Sequence, residues 1–256
     1  MYNAVSAKIQ RGEKVLGTFL SMDSLPAIEA LGQTGMDFVI VDTEHGPVGA
    51  EGALGYIRAA ETAGLTPFVR VHEIARSAVL HALDAGAQGL IVPCVKTVDE
   101  VKRLIEYAKF APLGNRGFCP TRDGRWGFAD FAADMEGYMA CCNRETLLLP
   151  QCETVECLGS IEPIVALPGV DGIFVGPYDL SIAMGMPGEF DHPDFKAAIA
   201  RVLHACKAAG KQAHIFAGSV PAARERFAQG FEAVAYSLDA IVYIQAFKDI
   251  AAGVKA

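Results

Sequence analysis

Eight times along this chain a short run of aliphatic and β-branched residues gives way to a longer stretch with helical character. The runs fall at residues 15–21, 38–45, 67–72, 89–95, 146–153, 172–179, 212–218 and 232–239. Several, such as Phe38-Val39-Ile40-Val41, are apolar at every position rather than at alternate ones. That is the pattern of a strand buried on both faces. Helical stretches are expected at 24–35, up to 64, at 75–86, 97–110, up to about 167, at 193–210, 221–230 and from 240 onward. Thr97 and Glu100 have the spacing of a capping box, and glycines beside most helices suit the caps of the following turns. Eight regular strand–helix units predict a closed (β/α)8 TIM barrel. A doubly wound open sheet is the alternative, which the absence of a GxGxxG fingerprint disfavours.

The chain has 256 residues, 52% of them hydrophobic, enough for one large core. Residues 1–256 therefore read as a single domain. The longest irregular piece is 111–127, followed by an expected helix over 128–142; excursions this long are usually lids or interfaces. The net charge of -8 argues against a nucleic-acid surface. No apolar run reaches 18 residues, so no membrane span is expected. The start MYNAVSAKIQ lacks a basic region followed by an apolar one, so no secretory signal is evident. The seven cysteines, odd in number and scattered, read as reduced thiols of a cytoplasmic protein. Without a CxxC pair, a zinc site carries little weight.

In a barrel of this kind the chemistry collects at the C-terminal ends of the strands. The second strand ends in Asp42, Glu44 and His45, the third in Arg70 and His72, the fifth in Gln151 and Glu153, the sixth in Asp179 and the eighth in Asp239. Charged groups at the end of a buried strand are costly unless paired or used. Glu153 and Asp179 are hard oxygen donors on neighbouring strands, suited to Mg²⁺ or Mn²⁺, with Co²⁺ a further candidate. Such an ion polarises the keto group of a 2-oxo acid. Arg70 is suited to stabilise the charge that develops there, and His45 titrates where proton transfer is useful. Each residue also has a plainer reading. Glu153 and Asp179 serve equally as acids in a first helical turn. Arg70 serves equally as a salt-bridge partner of Asp42 or Glu44. A single strand-end histidine is more often structural than catalytic; His45 gains weight only from its neighbours.

VDTEHGP, PFVRV, ALDAGAQGLIVP, PLGNRG, QCET and GVDGIFVGPYDLS, in this order and spacing, resemble the HpcH/HpaI family of metal-dependent pyruvate aldolases. The resemblance covers about residues 15–250. It implies a phosphoenolpyruvate/pyruvate-type barrel, a divalent metal, and reversible cleavage of a 4-hydroxy-2-oxo acid to pyruvate and an aldehyde. It also implies a homo-hexamer, a trimer of dimers. Carried over residue by residue, it places the acid/base at His45, the transition-state stabiliser at Arg70 and an aspartate tuning the histidine at Asp84. The metal ligands fall at Glu153 and Asp179, and pyruvate contacts at Gln151 and the backbone of Tyr178 and Asp179. Asp84 belongs near the end of the third helix, at the opposite end of the barrel from His45. The pair can therefore form only between subunits. Tyr178 stands where the family often has a small residue. Arg122, Arg125 and Trp126 form a distinctive loop, open to reading as a contact for the aldehyde or as surface. A Schiff-base aldolase using Lys96, and a non-catalytic barrel that binds a 2-oxo acid, are the competing expectations.

Overall fold

The computed structural model describes residues 2–46 and 48–255. Eight parallel strands close in sequence order: β1 (Val15–Leu20), β2 (Phe38–Asp42), β3 (Thr66–Arg70), β4 (Gly89–Val92), β5 (Leu147–Cys152), β6 (Gly172–Val175), β7 (Gln212–Ala217) and β8 (Ala233–Leu238), with β8 pairing back to β1. The expected (β/α)8 TIM barrel is the architecture found. Its helices are α1 (Ala4–Gln10), α2 (Leu25–Leu31), α3 (Ala50–Thr62), α4 (Arg76–Ala85), α5 (Val98–Ala108), α6 (Met135–Glu145), α7 (Val155–Gly159), α8 (Ile161–Val165), α9 (Pro177–Ala183), α10 (Pro193–Ala208), α11 (Val220–Gln229) and α12 (Asp239–Lys255).

The strands are apolar throughout because both faces are buried. Val39, Val41, Val69, Leu90, Val92, Leu148, Ile173 and Ile215 point outward into the layer shared with the helices. Phe38, Ile40, Phe68, Ile91, Leu147, Leu149 and Phe174 fill the barrel interior. The period of two in side-chain direction makes this division automatic. Helix ends follow local chemistry. Thr97 and Glu100 form the expected capping box at the start of α5, and α4 ends at Gly86 in a left-handed conformation that glycine adopts without steric cost. Helix α1, which the strand–helix pattern does not include, lies at the N-terminal end. There the Asn3 side chain donates to the carbonyls of Gln88 and Glu145.

Three expected boundaries are corrected. β2 stops at Asp42, so residues 43–46 are a loop; the Pro47 half of the expected Gly-Pro break lies outside the described residues. β6 stops at Val175, and Asp179 sits in the first turn of α9 rather than on a strand. Pro177, whose ring fixes a helical φ, starts that helix. The expected helix over 128–142 is a 3-10 turn, Asp130–Ala132, followed by α6, whose start is set by Asp134 accepting from the Gly137 N–H. Helix α12 differs from the other long helices in having no buried residue; Ile244, Phe247 and Ile250 are among its exposed side chains.

Candidate active site

The inward positions of β2, β3 and β5 change from apolar to polar at their last turn toward the C-terminal end. Phe38 and Ile40 are followed by Asp42, Phe68 by Arg70, and Leu147 and Leu149 by Gln151. The register sets Asp42 beside Arg70 and Gln151 beside Phe174. A mouth of about 200 Å³ opens there, lined by Asp42, His45, Arg70, Gln151, Tyr178 and Asp179 together with Phe19, Phe174 and Phe216.

Arg70 is held as a fork. Its Nε donates to Asp42 Oδ1 at 2.9 Å and one Nη to Oδ2 at 2.6 Å, while the other Nη is 3.3 Å from Glu44 Oε2. The guanidinium carbon lies 4.8 Å from the centre of the Phe19 ring. Burial opposes its charge, but the hydrogen bond and field of Asp42, with Glu44 and Glu153, outweigh burial and raise its pKa. The salt-bridge reading of Arg70 is the one observed, and the bridged side chain lines the mouth. Asp42 also accepts from the backbone N–H of Glu44 at 3.1 Å and of His45 at 3.4 Å, so one carboxylate shapes the loop and aims the arginine.

Glu153 continues the β5 line just past the strand. One oxygen accepts from the Cys94 backbone N–H at 2.6 Å and the other from the Gln151 amide. Burial pushes its pKa up, and the carboxylates of Asp179 and Glu44 add to that rise; the two hydrogen bonds only partly offset it. Burial likewise raises Glu44. A cation among these groups would relieve the cost of keeping them ionised. Two further features fit a ligand at this place. Gln151 Oε1 is buried without a hydrogen-bond partner. A Cβ on Gly176 would lie 2.9 Å from both Gln151 Nε2 and Glu153 Oε2, so only glycine leaves those groups their present space. Among the described residues no group of three or more His, Cys, Asp or Glu side chains surrounds a metal position. A pair of hard oxygen donors with the rest of the shell left to water and substrate suits a magnesium-like ion better than zinc.

His45 reaches the mouth but is loosely held. Its side chain is 70% exposed and its Nε2 lies 3.9 Å from Glu44 Oε2. Asp84 is not its partner within the chain. It sits at the end of α4, where Oδ1 accepts from Arg116 at 2.8 Å; Arg116 also binds Asp123 at 2.9 Å, and Asp123 accepts from the Tyr138 hydroxyl. Burial raises the Asp84 pKa against the pull of Arg116. Lys96 is exposed and is not among the residues lining the mouth. Its backbone N–H bonds Glu100. Arg122 is taken by Glu61 and the Ala85 carbonyl. A larger cleft, about 920 Å³, lies at the opposite end of the barrel beside Arg122, Trp126 and the start of β3; it is away from the C-terminal strand ends where barrel chemistry collects. Gly176 and the Cys94 N–H are not among the site groups that the sequence predicts. Gly176 is legible in GPYD only once its neighbours are known, and a backbone donor leaves no residue signature.

Comparison with known proteins gives a consistent picture. The family model for HpcH/HpaI aldolase/citrate lyase matches residues 16–246. A 2-keto-3-deoxy-L-rhamnonate aldolase of Klebsiella pneumoniae is 32% identical over 246 residues, 95% of this chain and 90% of that protein. One of the same name from Escherichia coli is 30% identical over the same shares. Among solved structures, an HpcH/HpaI aldolase/citrate lyase family protein from Burkholderia cenocepacia is 33% identical, with a TM-score of 0.91, over 99% of this chain and 100% of that one. An HpcH/HpaI aldolase from Desulfitobacterium hafniense is 26% identical, with a TM-score of 0.89, over 100% and 96%.

Proposed function

Since the chain belongs to the HpcH/HpaI aldolase/citrate lyase family, we propose that it is a divalent-metal pyruvate aldolase, a carbon–carbon lyase that reversibly cleaves a 4-hydroxy-2-oxo acid to pyruvate and an aldehyde. The observation that carries this reading is the meeting of His45, Arg70, Gln151 and Asp179 at one mouth, with Glu153 bonded to Gln151. Rhamnonate-derived 2-keto-3-deoxy acids, named for the similar proteins, are the first substrates to try.

Glu153 and Asp179 would hold the ion, Mg²⁺, Mn²⁺ or Co²⁺, which when bound supplies a Lewis acid for the 2-oxo acid. In cleavage His45 takes the proton of the 4-hydroxyl. The C3–C4 bond breaks, the aldehyde leaves and the electron pair passes into the keto group as an enolate. Protonation at C3 then gives pyruvate. Arg70, fixed by Asp42 before substrate arrives, stabilises the developing oxyanion without reorganising. Gln151 and the backbone of Tyr178 and Asp179 orient the pyruvate portion. Among the described residues of its own chain His45 has no second partner, so Asp84 of a neighbouring copy would orient it in a homo-hexamer, a trimer of dimers. The unburied apolar face of α12 supports association of copies. A cytoplasmic location fits the scattered free thiols.

The test needs no knowledge of the aldehyde. Pyruvate methyl protons should exchange with deuterated water, stop exchanging in EDTA, and resume on adding Mg²⁺, Mn²⁺ or Co²⁺. Absence of exchange with metal present would leave only a binding barrel. Trapping of pyruvate on a lysine by borohydride would replace the metal mechanism with a Schiff base.

A further inference from the structure

The mouth has two unlike halves. β2, β3 and β5 supply Asp42, Arg70 and Gln151, with His45 and Asp179 beside them. The opposite arc, from β1, β6, β7, β8 and the start of α9, is aromatic and aliphatic. Phe19 packs against Phe174 at 5.9 Å and Phe216 at 6.0 Å; Phe216 meets Tyr178 at 5.8 Å; Tyr178 stands edge-on to Phe190 at 4.9 Å. Phe19 and Phe174 are buried and form the floor. Phe216 and Leu238 are only half-buried, and Tyr178 is 49% exposed. Filling the barrel interior accounts for the floor; it leaves Tyr178 and Phe216 as apolar surface facing the mouth.

Charge points the same way. Arg70 is the one cationic side chain among the described residues lining the mouth, and Asp42 and Glu44 already engage it. Asp42 and Glu44 outnumber Arg70 there, and the charge of the ion at Glu153 and Asp179 would be offset by those two carboxylates. A carboxylate or phosphate on the far end of the aldehyde would meet no free cationic side chain among the described residues lining the mouth, and a polyhydroxylated end would find few polar partners on the aromatic arc. An apolar end would release water from ring faces. Resting on the aldolase reading, we infer that the aldehyde substrate is uncharged with an apolar end, and that Tyr178 and Phe216 select it. Gly218 contributes by absence: a Cβ there would lie 3.0 Å from the Tyr178 hydroxyl, so glycine gives the ring its position.

The experiment compares kcat/KM for addition of pyruvate to pentanal and to succinic semialdehyde, aldehydes of similar reach that differ in a terminal carboxylate. Metal-loaded wild type should favour pentanal by at least about tenfold. Phe216→Ser should cut that preference about fivefold or more while pyruvate methyl exchange persists; Tyr178→Ser should also lower it and Tyr178→Phe, which keeps the ring, should retain it, both read as the ratio of the two kcat/KM values. Equal or better use of succinic semialdehyde overturns the inference, as it would if a neighbouring copy delivered an arginine to this side. An unaltered ratio in exchange-competent Phe216→Ser removes that ring from the assignment, and an unaltered ratio in Tyr178→Ser removes the other. Loss of methyl exchange in wild type itself defeats the aldolase reading, and this inference with it.

Discussion

Replacing His214 with leucine should flatten the acid limb of the stability curve. His214 lies on β7, 1% exposed, its ring 6.1 Å from that of Phe68. Its Nε2 is 2.9 Å from Gln212 Oε1, while Nδ1 is buried without a partner. Complete burial lowers its pKa from the ordinary 6.5 to about 3. The unfolded chain thus takes up this proton at a higher pH than the folded one. The stability contributed by neutral His214 is complete above about pH 6.5 and is lost as pH falls toward 3. At pH 5 the unfolded group is about 1.5 units below its pKa and the folded group is still neutral. At about 1.4 kcal/mol per unit, this residue alone removes roughly 2 kcal/mol between pH 7 and pH 5. At pH 4 the loss grows to about 3 kcal/mol by the same arithmetic. Urea unfolding of both proteins at pH 7 and pH 5, at one protein concentration, measures it. Any packing change from leucine enters at both pH values and cancels in the difference. An identical pH 7-to-5 loss in the two proteins would refute the reasoning.

Three further outcomes follow from the mouth. Arg70→Ala should lower kcat/KM by an amount equivalent to about 2–4 kcal/mol if it acts as an oxyanion donor, and Arg70→Lys should recover little because it cannot reproduce the fork to Asp42; wild-type kinetics in either variant would remove the arginine from the chemistry. Gly176→Ala should weaken Mg²⁺ or Mn²⁺ binding at least about tenfold with an unchanged circular dichroism spectrum, since its Cβ would crowd Glu153 and Gln151 at 2.9 Å; normal metal titration would show that the crowding is absorbed elsewhere. Glu153→Gln should also weaken metal binding, and a normal isotherm would discard it as a ligand.

The repeated alternation of all-apolar runs and helical stretches determined a parallel sheet covered on both faces, and eight regular units without a dinucleotide fingerprint favoured closure into a barrel over a doubly wound sheet. The strand-end residues were legible for the same reason: chain order alone sends Asp42, Arg70 and Gln151 to one end. Helix α1 is not legible in the sequence because it adds no strand to the repeat. The placement of Asp179 in a helix is not legible either, because a run of apolar residues does not reveal where Pro177 turns strand into helix. Whether Arg70 is an ion pair or a substrate contact was undecidable from sequence. Only the β2–β3 register, which sets Asp42 and Arg70 side by side, makes the ion pair the device that aims the arginine. The space beside Gly176, the Cys94 N–H on Glu153 and the aromatic arc opposite the charges were likewise decided by tertiary structure. They are distances between residues far apart in the chain, and strand order does not specify such distances.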